Sequence, residues 1–319
     1  MKVITVRMRP LAVSSSLLAT ALILAGCSGA PEATETPTTS ASDCEMTASE
    51  GGTTSDAVVV EGSGLSATVT APANAEFADL ERTVVTEGTG AVLQAGDVVQ
   101  VQYRMVDGVT GETLDASDRY VGDAVWLPLD YSNSIFLATL ECAPLGSEAV
   151  LAVPGEMLQG GEPIVVYATA LDQRTVLKAQ GEPVAPVEGM PEVTLDEDGA
   201  PQITVPETDA PTETEVVVLQ QGDGETVNPG DTVVVQYRGV KWDGGEEFDS
   251  SWSRGGVPSA FPTTGVVTGF RLALEGQQVG SQVLVVMPPE DGYGASEGHE
   301  LQHETLVFVV DIIATTSER

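Results

Sequence analysis

The sequence is poor in basic residues, in aromatic residues and in histidine. Of its 319 residues, 13 are Lys or Arg and 48 are Asp or Glu, which gives a formal net charge of −35. A surface this acidic repels phosphate backbones, so we expect no nucleic-acid partner. Aromatic residues make up 5% of the chain, so their positions carry information, while 42% hydrophobic residues suffice for packed cores. The length is typical of about two domains.

No long apolar run occurs after the first 26 residues. Those residues hold a basic start with Lys2, Arg7 and Arg9, then an apolar run over residues 11–24 that ends in Leu24-Ala25-Gly26-Cys27. The tetrapeptide resembles the bacterial lipobox, in which cleavage precedes a cysteine that is then lipidated. We predict a lipoprotein signal peptide over residues 1–26, lipidation at Cys27, and an extracytoplasmic protein that is lipid-anchored to the bacterial cell membrane. The alternative is an ordinary signal peptide with a chance cysteine.

The chain has only three cysteines. If Cys27 carries lipid, Cys44 and Cys142 remain as a pair in an oxidising compartment, and we expect a disulfide between them. The alternative is two unrelated thiols.

The sequence repeats itself. Residues 88–117 align without a gap over residues 222–251, and 14 of the 30 positions are identical. The same offset continues along the chain and places Phe136 over Phe270. The repeat predicts two copies of one domain, of which the first is divergent.

Low-complexity stretches mark the boundaries of these copies. Residues 27–55 are rich in Thr, Ser, Glu and Pro and are predicted to be a disordered tether. We place the first domain at residues 56–173, an extended linker rich in Pro and acidic residues at 174–188, and the second domain at 189–319. Residues 192–205 alternate well enough to form the opening strands of the second domain.

Within each copy most of the pattern is typical of β-strands. Residues 232–237, 281–287 and 305–313 are short apolar runs rich in β-branched residues. Residues 269–275 differ, because Phe270, Ala273 and Leu274 recur at helical spacing and Gly276 follows where a helix cap is expected. The pattern predicts an α+β fold with one short helix against an antiparallel sheet.

Five motifs of the second copy occur together in one order. They are Gly230-Asp231-Thr232-Val233-Val234-Val235-Gln236-Tyr237, Phe248-Asp249-Ser250-Ser251, Val266-Val267-Thr268-Gly269-Phe270, Gly292-Tyr293-Gly294 and Thr305-Leu306-Val307-Phe308. In content, order and spacing they resemble the core of an FKBP-type peptidyl-prolyl cis-trans isomerase. The resemblance implies two tandem FKBP-like domains, each an antiparallel half-barrel sheet wrapped around a short helix.

The resemblance also implies the roles of the site residues. The apolar wall would consist of Tyr237, Phe248, Phe261, Val266, Val267 and Phe308. Phe270 would be the floor beneath the proline ring, where tryptophan is commonest in the family. Asp249 would lie at the rim, held by Tyr237 and Arg254, and Tyr293 would donate a hydrogen bond to the substrate carbonyl. No cofactor is required.

We therefore expect a peptidyl-prolyl isomerase that assists the folding of secreted or cell-envelope proteins. Its partners would be proline-containing polypeptides and FKBP-class macrolide inhibitors. Catalysis is predicted in the second domain, because the first keeps Tyr103, Asp115 and Phe136 but has Leu114 for the wall phenylalanine and the polar Asn133 for Val267. The first domain would hold clients, position the second domain or only fold. The rival interpretation is a non-catalytic peptide-binding or scaffold lipoprotein using the same grooves.

The two histidines raise a separate possibility. His299-Glu300-Leu301-Gln302-His303 matches the pattern of a zinc protease, which requires a helix that presents both imidazoles on one face. A strand beginning at Thr305 leaves little room for one, so we predict no metal site, with adventitious metal binding as the alternative. The FKBP family usually carries an Ile-Pro-type segment here, so its absence leaves the substrate preference open.

Overall fold

A computed structural model describes Cys44 and residues 46–319. These residues belong to one compact unit, within which we call residues 46–174 the first half and residues 175–319 the second half. The predicted signal peptide and Cys27 lie outside the described residues. Among the residues described, no helix is long and apolar enough to cross a membrane.

Each half contains one short α-helix and a set of strands. The first half contains β1 (Ser49–Glu50), β2 (Val59–Glu61), β3 (Thr68–Thr70), β4 (Glu81–Thr86), β5 (Val98–Asp107), β6 (Thr113–Ala116), β7 (Val125–Pro128), α1 (Ser134–Leu140), β8 (Glu148–Val153) and β9 (Ile164–Arg174). The second half contains β10 (Glu182–Pro183), β11 (Glu192–Leu195), β12 (Pro201–Thr204), β13 (Glu215–Gln221), β14 (Thr232–Lys241), β15 (Glu247–Ser250), β16 (Ser259–Pro262), α2 (Thr268–Leu274), β17 (Gln282–Met287) and β18 (Leu306–Thr316).

The two large sheets share one strand order. The first runs β1-β4-β8-β9-β5-β6 with β7 also paired to β5, and the second runs β10-β13-β17-β18-β14-β15 with β16 also paired to β14. All pairs are antiparallel except β1 with β4. The α+β class, the predicted strands and the predicted helix of the second half are confirmed.

Each sheet is covered on both faces. In the second half, α2 packs on one face through Phe270, Ala273 and Leu274, which are at most 5% exposed. The helix comes this close because Gly269 faces Met287, where an added Cβ would lie 2.6 Å from the Met287 Cβ. The hairpin β11–β12 covers the other face, and β2–β3 does the same in the first half. The predicted strands over residues 192–205 thus exist, but as a separate hairpin.

Part of the predicted tether is folded. Strand β1 pairs with β4, and the Glu81 carboxylate accepts hydrogen bonds from the backbone N–H groups of Thr54 and Ser55 at 2.8 and 3.0 Å. The disulfide prediction is confirmed, because Cys44 and Cys142 are bonded and join this segment to the end of α1. The tether prediction is therefore wrong for residues 46–55, since these contacts offset the entropy of ordering a polar segment.

The predicted linker is also incorporated into the fold. Strand β10 pairs with the edge strand β13, and the backbone N–H groups of Gln180 and Gly181 both donate to the Gly280 carbonyl. The backbone N–H of Ala179 donates to the Asp311 carboxylate at 3.0 Å. Residues 179–183 are therefore not a free spacer but an edge of the second sheet.

Candidate functional site

Aromatic rings meet between α2 and the sheet of the second half. Tyr237 on β14, Phe308 on β18 and Phe270 on α2 are each 5% exposed. Phe270 lies edge-on to both neighbours, with ring centroids 5.9 Å from Tyr237 and 5.1 Å from Phe308. Phe261 on β16 closes the cluster at 6.3 Å from Phe270. Edge-to-face packing of this kind holds each ring in one orientation, which gives a firm apolar surface.

A glycine makes room for two of the aromatic rings. Gly239 on β14 lies opposite both Phe308 and Asp249 in the sheet. A Cβ added there would lie 2.7 Å from the rings of Phe248 and Phe308, which pack edge-to-face at 5.3 Å. The same register position in the first half is Met105, opposite Val166. The glycine is thus needed because aromatic rings occupy the space above it.

A polar triad borders the aromatic cluster. The Tyr237 hydroxyl donates to the Asp249 carboxylate at 2.6 Å, and the Arg254 guanidinium donates to the Tyr237 oxygen at 2.8 Å. Arg254 also pairs with the other Asp249 oxygen. The carboxylate therefore has a fixed orientation at the edge of the apolar surface.

A buried serine holds the start of the turn that carries Arg254. Ser251 is fully buried, and its hydroxyl accepts from the Tyr237 backbone N–H at 2.8 Å and donates to the Gln236 side chain. Its counterpart Ser117 accepts from the Tyr103 backbone N–H at 3.1 Å. Sequence reasoning missed this role, although the identity of Ser117 and Ser251 in the repeat was a usable signal.

These elements enclose a cavity of about 270 Å³. Most of the predicted site residues line it, and Gly265 joins them without having been predicted. Phe248 and Arg254 are not among the lining residues, since Phe248 packs behind Phe308 and Arg254 stands at the rim. The lining residues are Tyr237, Asp249, Phe261, Gly265, Val266, Val267, Phe270, Tyr293 and Phe308.

The loop that carries Tyr293 reaches the cavity mouth. It begins at a 3-10 turn over Pro289–Asp291, and the Gly294 N–H donates to the Pro289 carbonyl at 2.7 Å. The zinc-protease pattern that follows forms turns rather than the helix that such a site requires. Leu301 is 4% exposed and belongs to the core of the second half, so one apolar residue of this segment faces inward while Glu300 and His303 remain exposed.

The first half retains part of the same arrangement. The Tyr103 hydroxyl donates to Asp115 at 2.9 Å, Arg119 pairs with Asp115 at 3.2 Å, and Tyr103 contacts Phe136 at 4.9 Å. Burial, with help from the Asp115 hydrogen bond, raises the pKa of Tyr103 far above its ordinary value. The adjacent cavity is about 280 Å³, and Thr232 and Ala260 of the second half help to line it. No tyrosine occurs in residues 155–161, the first-half counterpart of the loop that carries Tyr293.

An aromatic cavity with a fixed polar rim is suited to a compact apolar ring whose amide stays at the mouth. Residues 223–313 match the family model described as FKBP-type peptidyl-prolyl cis-trans isomerase. A probable FK506-binding protein of Corynebacterium glutamicum is 44% identical over 94 residues, which cover 29% of this chain and 79% of that protein. An FK506-binding protein of Streptomyces anulatus is 38% identical over 99 residues, covering 30% and 79%.

One solved structure also matches part of the chain. The crystal structure of FkpA from Escherichia coli is 31% identical with a TM-score of 0.31, and the match covers 40% of this chain and about half, 52%, of FkpA. The chain belongs to the FKBP-type peptidyl-prolyl cis-trans isomerase family. It is therefore an enzyme of that class, and the family match lies in its second half.

Proposed function

We propose that the chain consists of two tandem FKBP-like domains and that only the second isomerises X-Pro bonds. The observation that carries this proposal is the cavity of about 270 Å³ that Tyr237, Asp249, Phe270 and Tyr293 line together. The first half has no tyrosine in the counterpart loop, residues 155–161. Its remaining polar pair, Tyr103 and Asp115, is present without that donor.

The chemistry needs no bond to be made or broken. Rotation about the X-Pro amide is opposed by a barrier of about 18–20 kcal/mol, because resonance is lost in the twisted state. An apolar cavity favours the twisted amide, in which charge is less separated, over the planar one. In this proposal the proline ring lies on Phe270, between Tyr237 and Phe308.

Fixed polar groups at the mouth complete the site. The Asp249 carboxylate is oriented by Tyr237 and Arg254 before any ligand arrives, so it requires little reorganisation while the amide twists. The Tyr293 hydroxyl would donate to the substrate carbonyl. FKBP-class macrolides would occupy the same cavity and compete with proline peptides.

Matched substitutions in the full-length chain test where catalysis lies. Asp249→Ala leaves the donors of Tyr237 and Arg254 without their acceptor, and hydrogen bonds to charged groups are worth about 1.5–3 kcal/mol. We expect kcat/KM for a proline tetrapeptide to fall by about ten-fold or more, and Tyr293→Phe to lower it by about five-fold. Asp115→Ala removes the equivalent carboxylate of the first half and should leave the rate unchanged. Equal losses from Asp249→Ala and Asp115→Ala would contradict the assignment.

We further propose that the enzyme works outside the cytoplasm on secreted or cell-envelope polypeptides while anchored by lipid on Cys27. The Leu24-Ala25-Gly26-Cys27 match supports the anchor, and the Cys44–Cys142 disulfide fits an oxidising compartment. Cys27→Ser should move the protein from the membrane fraction to the soluble fraction. Retention of the variant in the membrane fraction would contradict the lipid anchor.

One observation favours a second activity, the non-catalytic holding of peptides by the first half. Its cavity of about 280 Å³ keeps Tyr103, Asp115 and Arg119 in contact. Peptide affinity measured on the Asp249→Ala variant, with and without Asp115→Ala, tests it. A further loss of affinity on adding Asp115→Ala would support holding by the first half.

A further inference from the structure

The hydroxyl of Tyr293 has no partner inside the described part of the chain, where no group accepts a hydrogen bond from it. The residue is half-buried and its ring borders the cavity. A free hydroxyl suits a donor that must bind the substrate. Because no hydrogen bond orients this hydroxyl, contacts to the tyrosine ring must set the direction in which it points.

The ring packs against the core cluster of the second half, and one further side chain stacks on its face. The imidazole of His299 lies parallel to the Tyr293 ring, with centroids 4.2 Å apart and an angle of 2° between the planes. Stacking at this distance covers one face of the tyrosine ring and restricts its rotation. His299 is six residues further along the chain, so the contact depends on how the intervening turns fold.

His299 is exposed, but it is tied to the core through Leu301. Its Nδ1 accepts a hydrogen bond from the Leu301 backbone N–H at 3.1 Å, and the Leu301 side chain is 4% exposed within the core cluster of Phe270. The Ser296 N–H donates to the Tyr293 carbonyl, and the His299 N–H donates to the Ser296 carbonyl.

A glutamine closes the same loop. The Gln302 side chain accepts from the Gly298 N–H at 3.0 Å and donates to the Gly294 carbonyl at 3.4 Å. The imidazole plane therefore has a defined position relative to the cavity.

We infer that His299 is a positioning residue that fixes the Tyr293 ring so that its hydroxyl meets the substrate carbonyl. The inference rests on the proposed role of Tyr293 as carbonyl donor. It assigns one histidine of the zinc-protease pattern to isomerisation, and it gives this polar segment a function where the family usually carries an apolar one. The stack acts on the rate, because a misdirected hydroxyl loses its bond in the twisted state while the apolar cavity still binds the proline ring.

The test uses the full-length chain and four single variants. His299→Ala removes the stack, and we expect kcat to fall about three-fold with KM little changed. His299→Phe keeps an aromatic ring against Tyr293 and should restore most of the rate. His303→Ala is the matched control, since that exposed histidine lies four residues away in the same segment. Tyr293→Phe measures the hydroxyl itself.

A double variant separates positioning from general loop stability. If His299 acts through the Tyr293 hydroxyl, His299→Ala should cost nothing more in the Tyr293→Phe background. An equal cost in both backgrounds, or equal losses for His299→Ala and His303→Ala, would overturn the inference. A loss with Tyr293→Phe but none with His299→Ala would overturn it while leaving the proposed function intact.

NMR of the Tyr293 ring tests whether the stack exists in solution. In a chain with isotope-labelled tyrosines, the NMR signals of the Tyr293 ring protons should shift in His299→Ala but not in His303→Ala. If Tyr293→Phe leaves the rate unchanged, the proposed donor role fails and the positioning role fails with it. If the ring protons do not shift on His299→Ala, the stack does not exist in solution and only the inference fails.

Discussion

One position on the strand that carries the site tyrosine, β5 in the first half and β14 in the second, differs between the halves in the size of its residue. Gly239 and Met105 occupy equivalent register positions, and their sheet partners are Phe308 and Val166. The larger residue thus faces the smaller one in each half. The repeat aligns Gly239 with Met105. Only the cross-strand pairing shows that the size of each residue matches the size of the side chain opposite it.

Adding one methyl group at Gly239 should therefore disturb the catalytic cavity. In Gly239→Ala the new Cβ would lie 2.7 Å from the rings of Phe248 and Phe308, so those rings must shift. Overpacking of this kind costs about 1–3 kcal/mol. We expect a lower melting temperature and a lower kcat/KM for a proline peptide.

A second substitution identifies the cause. Adding Phe308→Val to Gly239→Ala reproduces part of the first half's pairing, and we expect it to recover some stability without recovering activity, because the cavity wall is lost. If Gly239→Ala alone keeps wild-type stability and rate, the glycine is not needed for ring packing.

At the scale of elements, a buried carboxyl group ties the segment before β10 to β18. Asp311 is 2% exposed and accepts hydrogen bonds from the Ala179 N–H at 3.0 Å and from the Gln282 side chain at 2.8 Å. Burial raises the pKa of Asp311 to about 6, although these bonds and the charge of Lys178 oppose the shift. The Asp311 carboxyl group therefore binds its proton more tightly in the folded chain than in the unfolded chain.

The stability of the second half should depend on this group between about pH 4 and pH 6. Folding raises the pKa of Asp311 from 3.8 to about 6. The protonated group therefore contributes its full stabilisation of the fold below the unfolded pKa, and this stabilisation is lost as the pH rises through 6. The loss amounts to about 3 kcal/mol. We expect Asp311→Asn to gain unfolding free energy relative to the parent chain as the pH rises from 4 to 7, measured by denaturant titration.

An exposed aspartate provides the comparison. Asp172→Asn, at an exposed position near the end of β9, should show no such trend relative to the parent chain. A free-energy difference for Asp311→Asn that is constant with pH would contradict the raised pKa.

The two halves share a small apolar core at the scale of the whole molecule. Trp126 on β7 is 6% exposed and packs in one cluster with Val234, Ile313 and Ala314 of the second half. Its backbone N–H donates to the Thr316 hydroxyl at 3.0 Å. A fragment over residues 189–319, the predicted second domain, would expose this surface and lack β10. Catalysis is therefore best measured on the whole chain.

Removing the tryptophan side chain should uncouple the halves. Large-to-small changes of buried aromatic residues cost about 3–5 kcal/mol of unfolding free energy. In Trp126→Ala the packing that is lost is the packing between the two halves. We expect calorimetry to resolve two unfolding transitions in place of one, with the isomerase rate unchanged.

A second tryptophan separates this effect from general destabilisation. Trp242 is 8% exposed and packs within the second half, and its indole N–H donates to the Thr208 carbonyl at 3.1 Å. Trp242→Ala should lower stability without splitting the transition. A single transition in Trp126→Ala, with lower stability only, would show that the halves remain coupled by other contacts.

The sequence alone was sufficient for the α+β class, the strands and helix of the second half, the family and the disulfide pairing. These follow from local patterns, since β-branched runs, helical spacing around Phe270 and a repeat in register are visible without any long-range contact. The disulfide between Cys44 and Cys142 followed from the expected oxidising compartment and from the two cysteines that remain if Cys27 carries lipid.

Only the tertiary structure decided which polar segments are folded and what surrounds the site. Residues 46–55 and 179–183 have compositions typical of tethers and linkers, yet they lie at sheet edges because Glu81, Asp311 and the Gly280 carbonyl accept their backbone hydrogen bonds. The stack of His299 on Tyr293 likewise depends on turns that close through Leu301 and Gln302. Such contacts join residues whose side chains show no shared periodicity, so no pattern in the chain indicates them.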